Sequence, residues 1–425
     1  MSLGLFLGSL FAIMALGMPI AIALLVSSIV MMIYLNIFDS QIIAQYLING
    51  ADSFALLAVP FFILAGELMN AGGMSTRIIN FAMAIVGHIR GGMGYVAIIA
   101  AVLFAGLSGS AVADTAALGA VLIPMMVKAG YNRNRATGLI ASGGIIAPVI
   151  PPSIPMILFG VTSGVSITAL FTAGIVPGLM MGVGLTIVWT IVSRKEKVEL
   201  SPRKSLKEML AATRSALWSL MFPVIIIGGL RGGIFTPTEA GVVAAMYALF
   251  VGFVVYRELN MKKLYHVLVE AARTTSVVMF LVAAAMVSAW VISVAQIPAV
   301  VSDVLAPFTG NQLMLLIVIN IIVLFVGMVM DLTPAILVLT PVLLPAVTMA
   351  GIDPVYFGVL FVLNLSIGLL TPPVGTVLNV AAGVGRVGIV DLMKGIWPFL
   401  LIEVAVLILL IFIPDLVLVP LSWFS

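Results

Sequence analysis

Serine, threonine and aspartate stand beside glycine and proline at four places in this chain, and those four places are where its chemistry lies. The first is Gly106-Leu107-Ser108-Gly109-Ser110, followed by Asp114 and Thr115. The second is Gly327-Met328-Val329-Met330-Asp331-Leu332-Thr333-Pro334. The third, residues 147–155, reads APVIPPSIP, with four prolines in nine residues. The fourth, residues 368–376, reads GLLTPPVGT. A proline removes an N–H and frees a carbonyl one turn earlier. Freed carbonyls together with hydroxyl and carboxylate oxygens make the hard donor set that a small cation prefers. The half-helix beginning after such a break presents free N–H groups, which attract a carboxylate or a phosphate. The chemistry is therefore the holding of ions. A cysteine nucleophile is excluded by the absence of cysteine, and the two histidines, His88 and His266, sit in basic amphipathic stretches that suit a surface. There is no phosphate loop, no Gly-x-Ser-x-Gly elbow and no metal-ligand pair at helical spacing. The chain reads as no enzyme, with no catalytic residue and no cofactor.

The four places form two pairs on one offset. Pro151-Pro152 recurs as Pro372-Pro373, and Pro124 recurs as Pro345, both 221 residues on (372 − 151 and 345 − 124). Gly106 and Gly327, Ala129-Gly130 and Ala350-Gly351, and Gly164 and Gly385 share the register. Helix breakers belong at membrane depth only where surrounding protein satisfies the backbone they free. Breaks at corresponding positions of two halves point to a transport site between them. The acids do not follow the register: Asp331 matches Ser110, and Asp114 matches Ala335. The two sites are expected to share backbone geometry and differ in side chains.

The elements that must position these residues are membrane helices. Apolar residues are 63% of the chain, charged residues 8%, and the mean hydropathy is +1.31, against about 45–50% and about 25% in soluble domains. Long unbroken apolar runs exclude the alternation of a transmembrane barrel. The expected fold is an all-α polytopic membrane protein of two inverted-topology repeats, each holding a re-entrant helical hairpin and a proline-broken helix. Residues 1–192 form the first repeat, with its hairpin over about 93–130 and its broken helix over about 136–164. Residues 193–215 form a basic amphipathic linker, in which 203–214 reads as a separate interfacial helix. Residues 216–425 form the second repeat, with a hairpin over about 312–350 and a broken helix over about 355–385. A split at Gly17-Met18-Pro19 divides 3–35 into two short spans, and 261–273 reads as a basic stretch preceding a separate span at about 276–296.

Charge fixes the orientation. With the linker in the cytoplasm and the repeats inverted, every Lys and Arg except Arg231 falls on the cytoplasmic side, as the positive-inside rule requires. Both termini then lie outside. The net charge of +3 is a topology signal and not a nucleic-acid footprint. Glu67 is an acid within a span near its cytoplasmic end, which suits a structural hydrogen bond or snorkelling. Candidate substrate contacts are Asp114, Ser153 at the first break, and Asn364 and Asn379 flanking the second. For the two asparagines, helix–helix hydrogen bonding is the equal alternative. A cation site beside an anion site motivates sodium-coupled uptake of an organic anion, with Na⁺ as the coupling ion.

At 106–115 (GLSGSAVADT), 142–155 (SGGIIAPVIPPSIP), 327–335 (GMVMDLTPA), 370–376 (LTPPVGT) and 60–66 (PFFILAG) the chain resembles the large membrane subunit of tripartite ATP-independent periplasmic (TRAP) transporters. The resemblance covers nearly the whole length. It implies an elevator-type fold and sodium-coupled import. One sodium would lie near Ser108, Ser110, Gly144, Pro148 and Pro151, and another near Gly327, Asp331, Thr371 and Thr376. It implies two partners, a small four-helix TRAP membrane subunit and a periplasmic substrate-binding protein, and a small carboxylate or sugar-acid substrate. It implies the inner membrane of a bacterium, with both termini periplasmic. The alternative reading is a stand-alone sodium/dicarboxylate symporter of related inverted-repeat fold.

Overall fold

A computed structural model describes residues 2–194, 196 and 202–422. Among the described residues there are helices and no strand, and nine helices are long and apolar enough to cross a membrane. The chain is thus an all-helical polytopic membrane protein.

Breakers set most of the helix ends. Ser2–Ala15 and Ile20–Tyr34 are separated by Gly17 at φ +81° and by Pro19, which precedes the second helix. The first hairpin is Gly92–Ser108 and Ala111–Lys128, turning at Gly109 (φ +62°), with Ser110 capping the second arm. Its counterpart is Gln312–Val329 and Leu332–Met349, turning through extended Met330 and Asp331. The second arms are both 18 residues long and begin 221 residues apart (332 − 111). The broken helices are Arg133–Gly144 with Ile154–Ser163, and Pro354–Gly368 with Thr376–Gly385. The peptide bonds Pro151-Pro152 and Pro372-Pro373 are both cis.

Two expectations are corrected. The stretch 203–214 is not a separate interfacial helix: a Ser205/Glu208 capping box starts one helix, Leu206–Arg231, that runs on into the span. No glycine or proline stands between residues 206 and 222 to end it, and Pro223 lies inside the helix. Likewise 261–296 is not a basic stretch followed by a separate span, because Met261–Val294 is continuous over 34 residues with no breaker. At 1.5 Å per residue it is about 50 Å long, beyond the roughly 30 Å of bilayer hydrocarbon, so its basic first turns project into the headgroups or water. The linker residues 195 and 197–201 lie outside the described residues.

Packing divides the helices into two groups. Ala58–Ala71 packs on Pro237–Phe250, and Met261–Val294 packs on Ile20–Tyr34, Ser40–Ala51 and Ala58–Ala71. A hydrogen bond between the Ser28 and Ser288 hydroxyls, 2.9 Å, ties this group across the halves. In the other group, Arg133–Gly144 packs between Ala111–Lys128 and Ile389–Phe412, and Gln312–Val329 packs on Pro354–Gly368. Phe159, Phe357 and Phe361 interlock where the two broken helices meet, with ring centroids 5.5–6.2 Å apart. Every residue of Pro354–Gly368 from Tyr356 onward is buried, as befits a helix apolar on all sides at the centre of its bundle.

Candidate functional site

The first tip closes against the first break. Gly109 is needed there twice over: its φ of +62° favours glycine, and a Cβ would stand 2.7 Å from the Pro152 carbonyl oxygen and 3.2 Å from the Ile154 nitrogen. The Ser110 N–H donates to Ser108 Oγ at 3.1 Å, and Ser108 Oγ donates to Asp114 Oδ1. Gly144 ends the first half-helix so close to the hairpin that a Cβ would fall 1.9 Å from Thr115 Oγ1 and 3.1 Å from the Ala111 carbonyl oxygen. Asp114 Oδ2 and Thr115 Oγ1 are buried without hydrogen-bond partners. Two unpartnered oxygens beside a tip and a break are a donor set for a hard cation. Among the described residues no three His, Cys, Asp or Glu side chains gather to hold a transition metal.

The second tip also meets its break, with different groups. The Val374 N–H donates to the Met328 carbonyl at 3.1 Å, and Thr376 Oγ1 donates to Asp331 Oδ1 at 3.2 Å. Thr371 Oγ1 donates to the Gly368 carbonyl at 2.8 Å. Gly327 and Gly368 approach backbone to backbone, so that a Cβ on Gly368 would lie 2.6–2.8 Å from Gly327 atoms. The first break is buried from Pro148 to Ser153, whereas Pro372, Pro373 and Val374 are exposed.

Both tips open on one cleft of about 440 Å³. Ser108, Ser110, Asp114, Pro148 and Asp331 line it together, although Asp331 stands 217 residues from Asp114 (331 − 114). Gly144, Pro151, Gly327, Thr371 and Thr376 lie behind this surface, in the tip-to-break contacts. Three of the four residues read as substrate contacts stand elsewhere. Ser153 is fully buried and caps Ile154–Ser163: its Oγ accepts from the Met156 N–H at 3.2 Å and donates to the Pro148 carbonyl. Asn364 is fully buried and donates through Nδ2 to the Asn320 carbonyl (2.6 Å) and Asn320 Oδ1 (2.8 Å), the helix–helix role. Asn379 donates to the Val374 carbonyl and stays exposed outside the cleft. Asp114 lines the cleft but is only 1% exposed, with one oxygen committed to Ser108.

The opposite wall comes from Ala58–Ala71 and Met261–Val294, which contribute Glu67, Asn70 and Thr274. Sequence reasoning gave Glu67 a structural role, yet it faces this cleft. The signal was its charge within an apolar span; its neighbour across space carries no sequence signal. Thr115, too, was visible within GLSGSAVADT, but its approach to Gly144 was not.

Comparison with known proteins agrees with this arrangement. Residues 7–416 match the family described as the tripartite ATP-independent periplasmic transporter, DctM component. The chain is 56% identical over 425 residues to the 2,3-diketo-L-gulonate TRAP transporter large permease protein of Escherichia coli, with 100% of each chain covered. It is 41% identical over 409 residues to the sialic acid TRAP transporter large permease protein of Vibrio cholerae, covering 96% of this chain and 95% of that one. It is 40% identical over 381 residues to a C4-dicarboxylate TRAP transporter large permease protein of Pseudomonas aeruginosa, covering 90% and 89%. Among solved structures, the YdaH transporter of Alcanivorax borkumensis shares the fold, with a TM-score of 0.62 at 14% identity over 89% of this chain and 88% of that one.

Proposed function

This chain belongs to the DctM family, the large permease component of TRAP transporters, and on that premise we propose that it imports a small organic anion across a bacterial inner membrane, coupled to sodium. The observation that carries this reading is the single cleft onto which both hairpin tips and their breaks converge. Cations held behind the tips by carbonyl, hydroxyl and carboxylate oxygens supply positive charge that the cleft wall lacks. The substrate anion then enters the cleft beside them. Coupling follows because neither charge is stable there without the other.

The hairpins and broken helices, packed with Ile167–Ser193 and Ile389–Phe412, act as the moving body of an elevator. The group built on Ala58–Ala71, Pro237–Phe250 and Met261–Val294 is the static scaffold. Matching element lengths on one offset and the sidedness of Lys and Arg support an inverted repeat with both termini periplasmic. A small four-helix membrane subunit and a periplasmic binding protein complete the system, the latter delivering the substrate. Relatives named for diketogulonate, sialic acid and C4-dicarboxylates place the substrate among small carboxylates.

The test is uptake into proteoliposomes that contain the chain with its small subunit and are supplied with the binding protein and radiolabelled acid. Uptake is expected to require both an inward sodium gradient and the binding protein. Uptake that proceeds unchanged without sodium overturns the coupling. Full uptake without the binding protein returns the stand-alone symporter.

A further inference from the structure

The scaffold wall of the cleft differs chemically from the wall of tips and breaks. Glu67 and Asn70 stand three residues apart on one helix, hence on one face, with Thr274 beside them. Among the described residues Glu67 makes no hydrogen bond and no ion pair. Asn70 Oδ1 accepts from Ser75 Oγ at 3.1 Å, which leaves the Nδ2 donors for the cleft. The other two acids are engaged at their tips, Asp114 by Ser108 and Asp331 by Thr376. Asp114, 1% exposed, still presents an oxygen without a partner. No Lys, Arg or His lines the cleft among the described residues.

We propose that Glu67 and Asn70 read the hydroxyl groups of the substrate and so select a hydroxylated monocarboxylate of sugar-acid type over a C4-dicarboxylate. The inference rests on the transport reading above. A free carboxylate accepts O–H donors strongly and repels a second carboxylate, and both effects grow in a cleft partly shielded from water. Asn70 supplies N–H donors one turn further along, at the separation of hydroxyls on neighbouring parts of a carbon chain. The single carboxylate of such a substrate is left for the opposite wall, where Ile154–Ser163 begins and the tip cations sit. A C4-dicarboxylate with one end there turns its other charge toward Glu67, where the protein offers no counter-charge. The cleft volume of about 440 Å³ accommodates a sugar acid.

The experiment measures thermal stabilisation of the purified two-subunit membrane complex in sodium buffer, titrated with gluconate or succinate at matched ionic strength. Wild type is expected to half-saturate at a lower gluconate than succinate concentration. Glu67→Gln should weaken gluconate by about ten-fold and move the succinate-to-gluconate ratio toward one, the effect of one hydrogen bond to a charged group. Asn70→Asp, at an exposed position, should raise that ratio by adding a second negative charge, and it carries the test should Glu67→Gln fail to fold. A structural role for Glu67 would lower both responses together and leave the ratio unchanged. An unchanged ratio in the folded variants overturns the inference, as does a wild type that prefers succinate. Sodium-driven uptake by the same preparations separates the two readings. Uptake intact with an unchanged ratio sinks only the Glu67–Asn70 assignment; no sodium-driven uptake of any acid sinks both.

Discussion

Replacing Gly109 with alanine tests whether the first tip must touch the first break. Two costs add at this position. Holding an alanine in the left-handed region costs about 1–2 kcal/mol. The new Cβ would also sit 2.7 Å from the Pro152 carbonyl oxygen and 3.2 Å from the Ser153 Cα, both backbone atoms that cannot rotate away. Overpacking of that kind costs about 1–3 kcal/mol more. Gly164 is an internal control. Its φ is +74°, but nothing lies within 4 Å of its Cβ position, so Gly164→Ala incurs the backbone cost alone. Thermal unfolding of the purified complex should therefore show a drop for Gly109→Ala about twice that for Gly164→Ala. Sodium-driven uptake should fall at least ten-fold in Gly109→Ala, because relieving the clash moves Ser108 and Ser110 away from the break, while Gly164→Ala transports normally. Equal thermal shifts in the two variants, with full uptake in both, would refute the argument that tip and break form one unit.

Asn364→Leu should lower stability by about 1–3 kcal/mol, because Asn320 Oδ1 is left buried without its donor. The substrate concentration for half-maximal uptake should stay unchanged, and a rise in it would return Asn364 to the cleft. Thr376→Val removes the donor to Asp331 and should raise the sodium concentration needed for half-maximal uptake, with Thr376→Ser restoring it. A sodium dependence identical to wild type in Thr376→Val would remove the second tip from cation binding. Arg77 pairs with Glu258 at 2.6 Å and lies 3.7 Å over the Tyr256 ring, with its side chain 19% exposed. Arg77→Met should cost about 1 kcal/mol or less and weaken the salt dependence of unfolding, with uptake intact, since the latch is remote from the cleft. Loss of uptake there would tie the latch to the transport cycle.

Much of this architecture was legible because glycine and proline report backbone conformation directly. The tip at Ser108–Ser110 and the interruption around Pro148–Pro152 follow from local rules that hold in any context. Continuity was harder to read. Met261–Val294 changes from basic and amphipathic to wholly apolar along its length, which resembles two elements, yet helix ends are set by breakers and caps rather than by polarity. Ser153 was misassigned against a readable signal, since a serine before Ile-Pro at a helix start is an N-cap. Asn364 and Glu67 illustrate the real limit. Each is a polar residue in an apolar helix, and its role depends on whether it faces Asn320, 44 residues away, or an open cleft, which only the assembled packing decides.

The helix Pro354–Gly368, buried on all sides, also constrains how the protein is made. A ribosome delivers the chain from its N-terminus, so this helix emerges when Gln312–Val329, carrying Asn320, already exists, and before Ile389–Phe412 has been synthesised. Its first docking surface is therefore the older helix, and the Asn320–Asn364 contact can form at once. Until the final long helix arrives, one flank stays open to lipid, which its apolar surface tolerates. Tyr356, whose hydroxyl donates to the Leu410 carbonyl at 2.9 Å, has no partner until then. The last span is thus the closing step of biosynthesis, and a chain truncated before it should be recognised by membrane quality control as unfinished.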